Sequence, residues 1–232
     1  MMRHTVLFMF RDSATEADRL LAVKGLAYLA FGCHSVRSID FGRDLFGGSS
    51  RLAASKPWER TPVWHARESG PPWGSYDMAL HVDFDDAAGF EAYQHCPAHQ
   101  EVSDYNEKVV WDEYTARVDW FLEGVPGTDR GGVRHTSCFL WDAGVADAAK
   151  DDARVALASL GRSVPTVRSA IVGENARAVP TAFDLILDVL FDDVEGARAY
   201  FDHPAQREVA VLVAGMTKHE WTARITHTVR SG

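Results

Sequence analysis

The stretch Tyr93-Gln-His-Cys-Pro-Ala-His99 sets a phenol and an imidazole six residues apart. A histidine titrating near neutral pH can act as general base toward an acidic C–H between two carbonyls. A tyrosine hydroxyl beside it can donate a hydrogen bond to the enolate that forms. The same two residue types on an amphipathic helix can also be plain core residues, so the chemistry depends on what surrounds them. His95 and His99 are four apart, a spacing that on an unbroken helix would suit a metal. Pro97 lies between them, and no third ligand sits at a matching distance, so no metal site is expected. Cys33, Cys96 and Cys138 form no CxxC pair and read as reduced thiols.

The elements that must hold this pair are legible because the chain repeats itself. Arg3-His4-Thr5 recurs as Arg134-His135-Thr136, and Val36-Arg37-Ser38 as Val167-Arg168-Ser169, both after 131 positions. Further on, Phe84-Asp85-Asp86 recurs as Phe191-Asp192-Asp193, Tyr93 as Tyr200, and Thr115-Ala116-Arg117 as Thr222-Ala223-Arg224, now after 107 positions. The first copy is therefore longer by the difference, 24 residues, between Gly42 and Tyr76. The expected organisation is a first domain at 1–122 carrying the insertion, a glycine- and proline-rich linker around 122–132, and a second domain at 133–232.

Each copy predicts an apolar strand (4–10, 135–141), an Ala/Leu-rich helix (14–30, 145–160) and a second strand ending in a turn at Gly42 or Gly173. A third strand alternates with period two, Tyr76, Met78, Leu80, Val82 and Phe84 against Asp77, His81 and Asp83. An aspartate-capped helix then breaks at Pro97 or Pro204, and a last strand closes the unit (112–121, 219–229). This β-α-β-β-α-β order is ferredoxin-like, an α+β fold. Helices cover one face of such a sheet, so the bare faces of the two copies are expected to meet in an intramolecular, pseudo-dimeric β-barrel. A monomeric pseudo-dimer is predicted, with further self-association left open.

Bulk properties narrow the function. The formal net charge of −9 and the absence of a basic run argue against a nucleic-acid partner. No apolar stretch reaches the roughly 20 residues of a membrane span, and the amino terminus does not read as a signal peptide. A cytoplasmic protein with a small-molecule substrate is the expectation. No GxGxxG or other nucleotide-cradling motif appears, so no cofactor is expected. Haem is the alternative, with His99 or His65 as axial ligand.

The opening His4-Thr-Val-Leu-Phe-Met-Phe10 and the segment Tyr93–His99, set in a duplicated frame, resemble the stress-responsive α/β-barrel (Dabb) family. The resemblance spans both copies apart from the linker and insertion. It implies a cofactor-free site of the kind found in the family's olivetolic acid cyclase branch, where a Tyr and a His six residues apart close a polyketide ring. On that basis Tyr93 and His99 are the candidate catalytic pair, and His4 a pocket residue. This chain departs from the pattern at Met78 and Cys96, where the family carries histidines. In the second copy Gln206 replaces the catalytic histidine and cannot take a proton at neutral pH.

A pocket between sheet and helices would be lined by His4, Phe8, Met78 and Leu80. The insertion, rich in Trp and Pro, would add Trp64 and His65 as a lid over the first copy. The second copy is expected to act as a structural partner with its pocket filled. Three readings stay open. The first is a cofactor-independent cyclase, isomerase or lyase on a carbonyl-rich, polyketide-like or aromatic substrate. The others are a haem-handling or monooxygenase-like barrel, and a non-catalytic ligand-binding or stress-response protein.

Overall fold

The structure, a computed structural model, describes residues 1–46, 76–122, 131–179, 183–218 and 222–230. The first copy contains β1 (Met2–Phe8), α1 (Glu16–Gly32), β2 (Ser38–Arg43), β3 (Met78–Phe84), α2 (Ala87–Gln94), α3 (Pro97–Val109) and β4 (Ala116–Phe121). The second copy repeats the series as β5 (Val133–Phe139), α4 (Asp147–Ser163), β6 (Val167–Glu174), β7 (Leu185–Phe191), α5 (Val194–Asp202), α6 (Pro204–Ala214) and β8 (Ala223–Thr228). Each copy builds one antiparallel sheet, in the order β2-β3-β1-β4 and β6-β7-β5-β8. This is the ferredoxin-like arrangement, twice. The opening strands begin and end two residues earlier than the hydrophobic run suggests, and Phe10 makes only a single bridge to Val110.

Local chemistry sets the helix starts. Thr15 and Asp18 form a reciprocal capping box at α1. Asp86 and Asp193 cap α2 and α5 by accepting from the backbone N–H of Gly89 and Gly196. Pro97 and Pro204 then open α3 and α6, where a missing N–H costs nothing.

The two sheets close on each other edge to edge, β2 against β8 and β4 against β6. Leu45 N–H donates to the Thr226 carbonyl (2.8 Å) at one seam, and Ala176 N–H to the Asp119 carbonyl (2.6 Å) at the other. Part of the enclosed core is apolar and shared by both copies, with Leu7, Val118 and Trp120 packed with Cys138, Ile186 and Ile225. The rest is an ion network. Arg3 donates to Asp83 (2.6 and 2.9 Å) in its own copy and to Asp188 (2.8 Å) in the other, while Arg134 pairs with Asp40 (2.5 Å) and Asp188 (3.2 Å). The polar residues that alternate along β3 therefore face the barrel interior and not solvent. Every residue of that strand is buried. Such charges are tolerated because each is paired; deleting one partner of a buried pair costs about 3–5 kcal/mol.

Two expectations need correction. Gly42 and Gly173 do not end their strands in turns. They lie within β2 and β6, where a Cβ on Gly173 would meet Trp120 Cε3 at 2.2 Å and one on Gly42 would meet His227 Nδ1 at 2.8 Å. Trp120 and His227 occupy equivalent places in the two copies, so each seam uses a glycine to admit the ring of the opposite copy. The thiols are not all reduced either: Cys33 and Cys96 form a disulfide, with Cα atoms 5.9 Å apart, and Cys138 is free and buried. Spacing did not reveal the bridge because its partners are 63 residues apart. They meet where α1 and α3 approach closely at Gly32, whose added Cβ would lie 2.5 Å from that of Ala98. Among the described residues, no helix is long and apolar enough to cross a membrane.

Candidate functional site

Tyr93 ends α2, and His99 lies in the first turn of α3, just past the break at Pro97. The break turns the second helix back over the sheet and stacks the two rings, with centroids 4.2 Å apart. Beneath them β1 presents His4, whose ring centroid is 6.2 Å from that of Tyr93. A pocket of about 60 Å³ lies between these residues, walled by Val6, Phe8, Leu26, Leu29, Leu80 and Val102 and bordered by Asn106, Glu107, Asp112 and Arg117. Met78 is fully buried in the surrounding core, and the wall at that level is made by Phe8 and Leu80. Trp64 and His65 lie outside the described residues. The flanks of the insertion are rooted on the second copy: Leu45 and Tyr76 donate backbone hydrogen bonds to the Thr226 and Arg224 carbonyls of β8.

Burial, reinforced by repulsion from His4, pulls the His99 imidazole down to about 4, with a hydrogen bond from the ring to the Gln94 backbone carbonyl opposing. The ring is therefore neutral at physiological pH. Its Nδ1 is buried and has no hydrogen-bond partner. Asn106, two helical turns along α3, likewise holds a buried Oδ1 without a partner. Burial also pushes the Tyr93 phenol well above its ordinary range, so it stays protonated and able to donate.

The residue that composition and repeat matching missed is Asp119. On β4 it accepts from His4 Nδ1 at 2.5 Å and is fully buried. Its second carboxylate oxygen accepts from the Val179 N–H of the other copy at 3.0 Å. A carboxylate that fixes one ring nitrogen of a histidine sets the tautomer and the orientation of the other. The signal was present as a lone acid inside the apolar run of β4. Because the repeat replaces it by Thr226, matching the two copies gave it no weight. Arg117, also unforeseen, borders the pocket and pairs with Asp112.

The second copy repeats the pocket position by position, but it is not filled. Its cavity has a volume of about 710 Å³, and corrects the expectation of a packed, purely structural half. Part of the physical reason is residue size along α6, where an alanine replaces Glu107. Ser103, Asn106 and Glu107 of α3 correspond to Ala210, Val213 and Ala214. His135 stands in for His4, yet its Nδ1 partner is Thr226 Oγ1 (2.8 Å) and not a carboxylate.

A third cluster, Asp40, His81 and His227, brings three possible metal-ligand atoms within 4.8 Å inside the barrel. Two of its three members are already engaged, while His227 Nε2 is buried without a hydrogen-bond partner. Asp40 accepts from Arg134, and His81 lies between Thr5 Oγ1 (3.1 Å) and Thr136 Oγ1 (3.4 Å). The Arg134 guanidinium already supplies the positive charge that a cation would bring.

Comparison with known proteins places this geometry in context. No curated protein matches the chain in sequence. Among solved structures, an anthrone oxidase-like protein superposes with a TM-score of 0.64 at 14% identity, covering 99% of this chain and 92% of its own. A candidate monooxygenase from Lactobacillus acidophilus gives 0.52 at 11% identity, covering 99% and 93%. Another from Fusobacterium nucleatum gives 0.55 at 9% identity, covering 99% and 91%. At these identities the likeness is one of fold. The stress-responsive A/B barrel domain pattern matches twice, at residues 63–121 and 133–223. With two such domains closing one barrel, the chain belongs to the stress-responsive α/β-barrel (Dabb) family.

Proposed function

We propose that the first-copy pocket is the active site of a cofactor-independent enzyme that removes a proton from an activated carbon of a carbonyl-rich, polyketide-like or aromatic substrate. The observation that carries this reading is the neutral His99, whose buried Nδ1 lacks a partner and whose ring stacks on Tyr93. The Nδ1 lone pair would take the proton, and the Tyr93 O–H would donate to the enolate oxygen. His4, whose Nδ1–H is held by Asp119, would accept at Nε2 from an enol or phenol O–H of the substrate. The carbanion would then attack a carbonyl of the same molecule, as in ring closure by the family's olivetolic acid cyclase branch. About 60 Å³ is far below the roughly 300–1,000 Å³ of ligand pockets, so admitting such a substrate requires α3 to move outward. The disulfide would pin the start of α3 to α1 during that movement.

A second reading, oxygenation of the same carbanion by dioxygen, is favoured by the fold shared with an anthrone oxidase-like protein and with candidate monooxygenases. One experiment tests both. An aryl 1,3-diketone is incubated with the protein in D2O, exchange at the central carbon is followed by NMR, and oxygen uptake is recorded in parallel. His99→Gln is expected to slow exchange by about 10²–10⁴-fold. Oxygen consumption matched to substrate loss selects the second reading. Exchange at the wild-type rate in the His99→Gln protein overturns the proposal.

A further inference from the structure

Asn106 lines the first pocket from α3 and is 6% exposed. Its backbone carbonyl is engaged, accepting from the Val110 N–H at 2.8 Å. Its side-chain Oδ1 is buried and finds no donor among the described residues. An amide oxygen withdrawn from water without a donor is a cost to folding. The second copy shows that the fold does not require it. The matching residue there is Val213, which is buried in the core of that half. Two other polar positions of the site change in the same way, His99 to Gln206 and Asp119 to Thr226. Asn106 therefore goes with the site and not with the barrel.

Its place along the helix limits what it could hold. His99 and Asn106 are seven residues apart on α3, which sets them on one face about 10 Å apart along the axis. Val102 and Ser103, between them, line the same pocket, and Val6, Phe8 and Leu80 wall it from β1 and β3. A ligand that reaches both ends has an apolar middle and a hydrogen-bond donor remote from the carbon that loses its proton. A hydroxyl one aromatic ring beyond that carbon, with a hydrogen bond at each end, spans about 10 Å. A neutral hydroxyl suits these walls, whereas an ammonium would give up its hydration against Val6, Phe8 and Leu80. Both His99 and Asn106 are carried by α3, so their spacing survives the outward movement that admits a substrate.

We propose that Asn106 is a specificity-determining residue whose Oδ1 accepts from a phenolic O–H at the far end of the substrate, so that the substrate class is a hydroxyaryl 1,3-dicarbonyl compound. The inference rests on the reading of the first pocket as the substrate site. The test uses 4-hydroxybenzoylacetone, its 4-methoxy ether and benzoylacetone itself. The ether keeps nearly the same ring electronics but cannot donate. Affinity is measured by calorimetric titration of the full chain, and exchange at the central carbon in D2O by NMR. The wild type is expected to bind the phenol about ten- to a hundred-fold more tightly than the ether. Asn106→Val, which copies the second half, is expected to bring the two within about threefold of each other and to leave benzoylacetone within about threefold of wild type. Its Tm is expected to stay at or above that of the wild type, because the unpartnered oxygen is gone. If that variant fails to fold, Asn106→Ala carries the comparison. A phenol-to-ether ratio near one in the wild type, a preference for the ether, or a phenol preference that persists in the folded variant overturns the inference. Exchange that depends on His99 without a phenol preference keeps the base and refutes Asn106. A phenol preference lost in the Asn106 variant, without any exchange, keeps Asn106 and refutes the base. Failure of all three compounds to bind refutes both.

Discussion

Gly173→Ala offers a test of barrel closure in which the sign alone decides. Replacing a strand-interior glycine by alanine should, on backbone entropy alone, stabilise the chain by about 0.5–1 kcal/mol. Here the new methyl would sit 2.2 Å from Trp120 Cε3 and 2.7 Å from Cδ2, so the indole must retreat by about 1 Å to reach ordinary contact. It has nowhere to go. Trp120 is fully buried, its Nε1–H donates to Thr5 Oγ1 at 3.1 Å, and the Arg3 guanidinium lies 5.7 Å from its ring centroid. Overpacking of this kind costs about 1–3 kcal/mol, which exceeds the entropic gain. The expected net is a destabilisation of about 1–2 kcal/mol, or a fall in Tm of about 2–8 °C for a chain of this size. Thermal and urea unfolding of Gly173→Ala, Trp120→Leu and the double variant complete a double-mutant cycle. The alanine should cost little once the indole is gone, giving a coupling of about 1 kcal/mol or more. A Gly173→Ala protein that is more stable than wild type, or a cycle without coupling, would refute the claim that this glycine exists to admit Trp120 at the β4–β6 seam.

Three further outcomes are expected. Cys33→Ser/Cys96→Ser, or reduction of the wild type, should lower stability by about 2–4 kcal/mol, since the bridge closes a loop of 63 residues; urea midpoints with and without reductant measure it. Acid should destabilise the fold early. His99 and His135 are held at about 4 and about 3, and His81 well below its ordinary value, all mainly by burial. Below pH 6.5 the unfolded chain therefore binds protons that the folded chain refuses. Stability is complete above pH 6.5 and falls as pH drops from there toward 4, by about 1 kcal/mol per histidine for each pH unit; a flat urea midpoint between pH 7 and 5 would contradict this. Asp119→Asn should leave His99 untouched and lower exchange of the aryl diketone by about tenfold or more through misorientation of His4, with the shape of its pH profile retained. A profile that moves would mean that Asp119 acts on the base itself.

The fold was legible because the repeat supplied two independent readings of one unit. Helix caps at Asp86 and Asp193, the breaks at Pro97 and Pro204 and the strand periodicity all agreed between copies. Residues that face each other across the barrel were not legible. Gly42 looked like a turn because its reason for being glycine, His227, belongs to the other copy. Asp83 and His81 looked like a polar face for the same reason: Arg134, Asp188 and Thr136 complete their surroundings from 51 or more positions away. The Tyr93–His99 pair was found because its members are close in sequence. The cavity in the second copy was missed because Gln206 drew the eye to lost basicity. The room came instead from farther along α6, where Ala214 stands in place of Glu107.

Asp119 and Thr226 hold equivalent places beneath His4 and His135, and only one is an acid. In a barrel assembled from two identical chains that difference could not exist, because every substitution is made twice. Removing the acid from one site would strip it from its mate, and enlarging one chamber would enlarge both. Joining the halves in a single chain releases that constraint. One half can keep a tight, histidine-bearing cleft while the other trades its polar residues for volume, and the shared ion network holds the two together as they diverge. The Val179 N–H that secures Asp119 comes from the second copy, so the site of one half is completed by the backbone of the other.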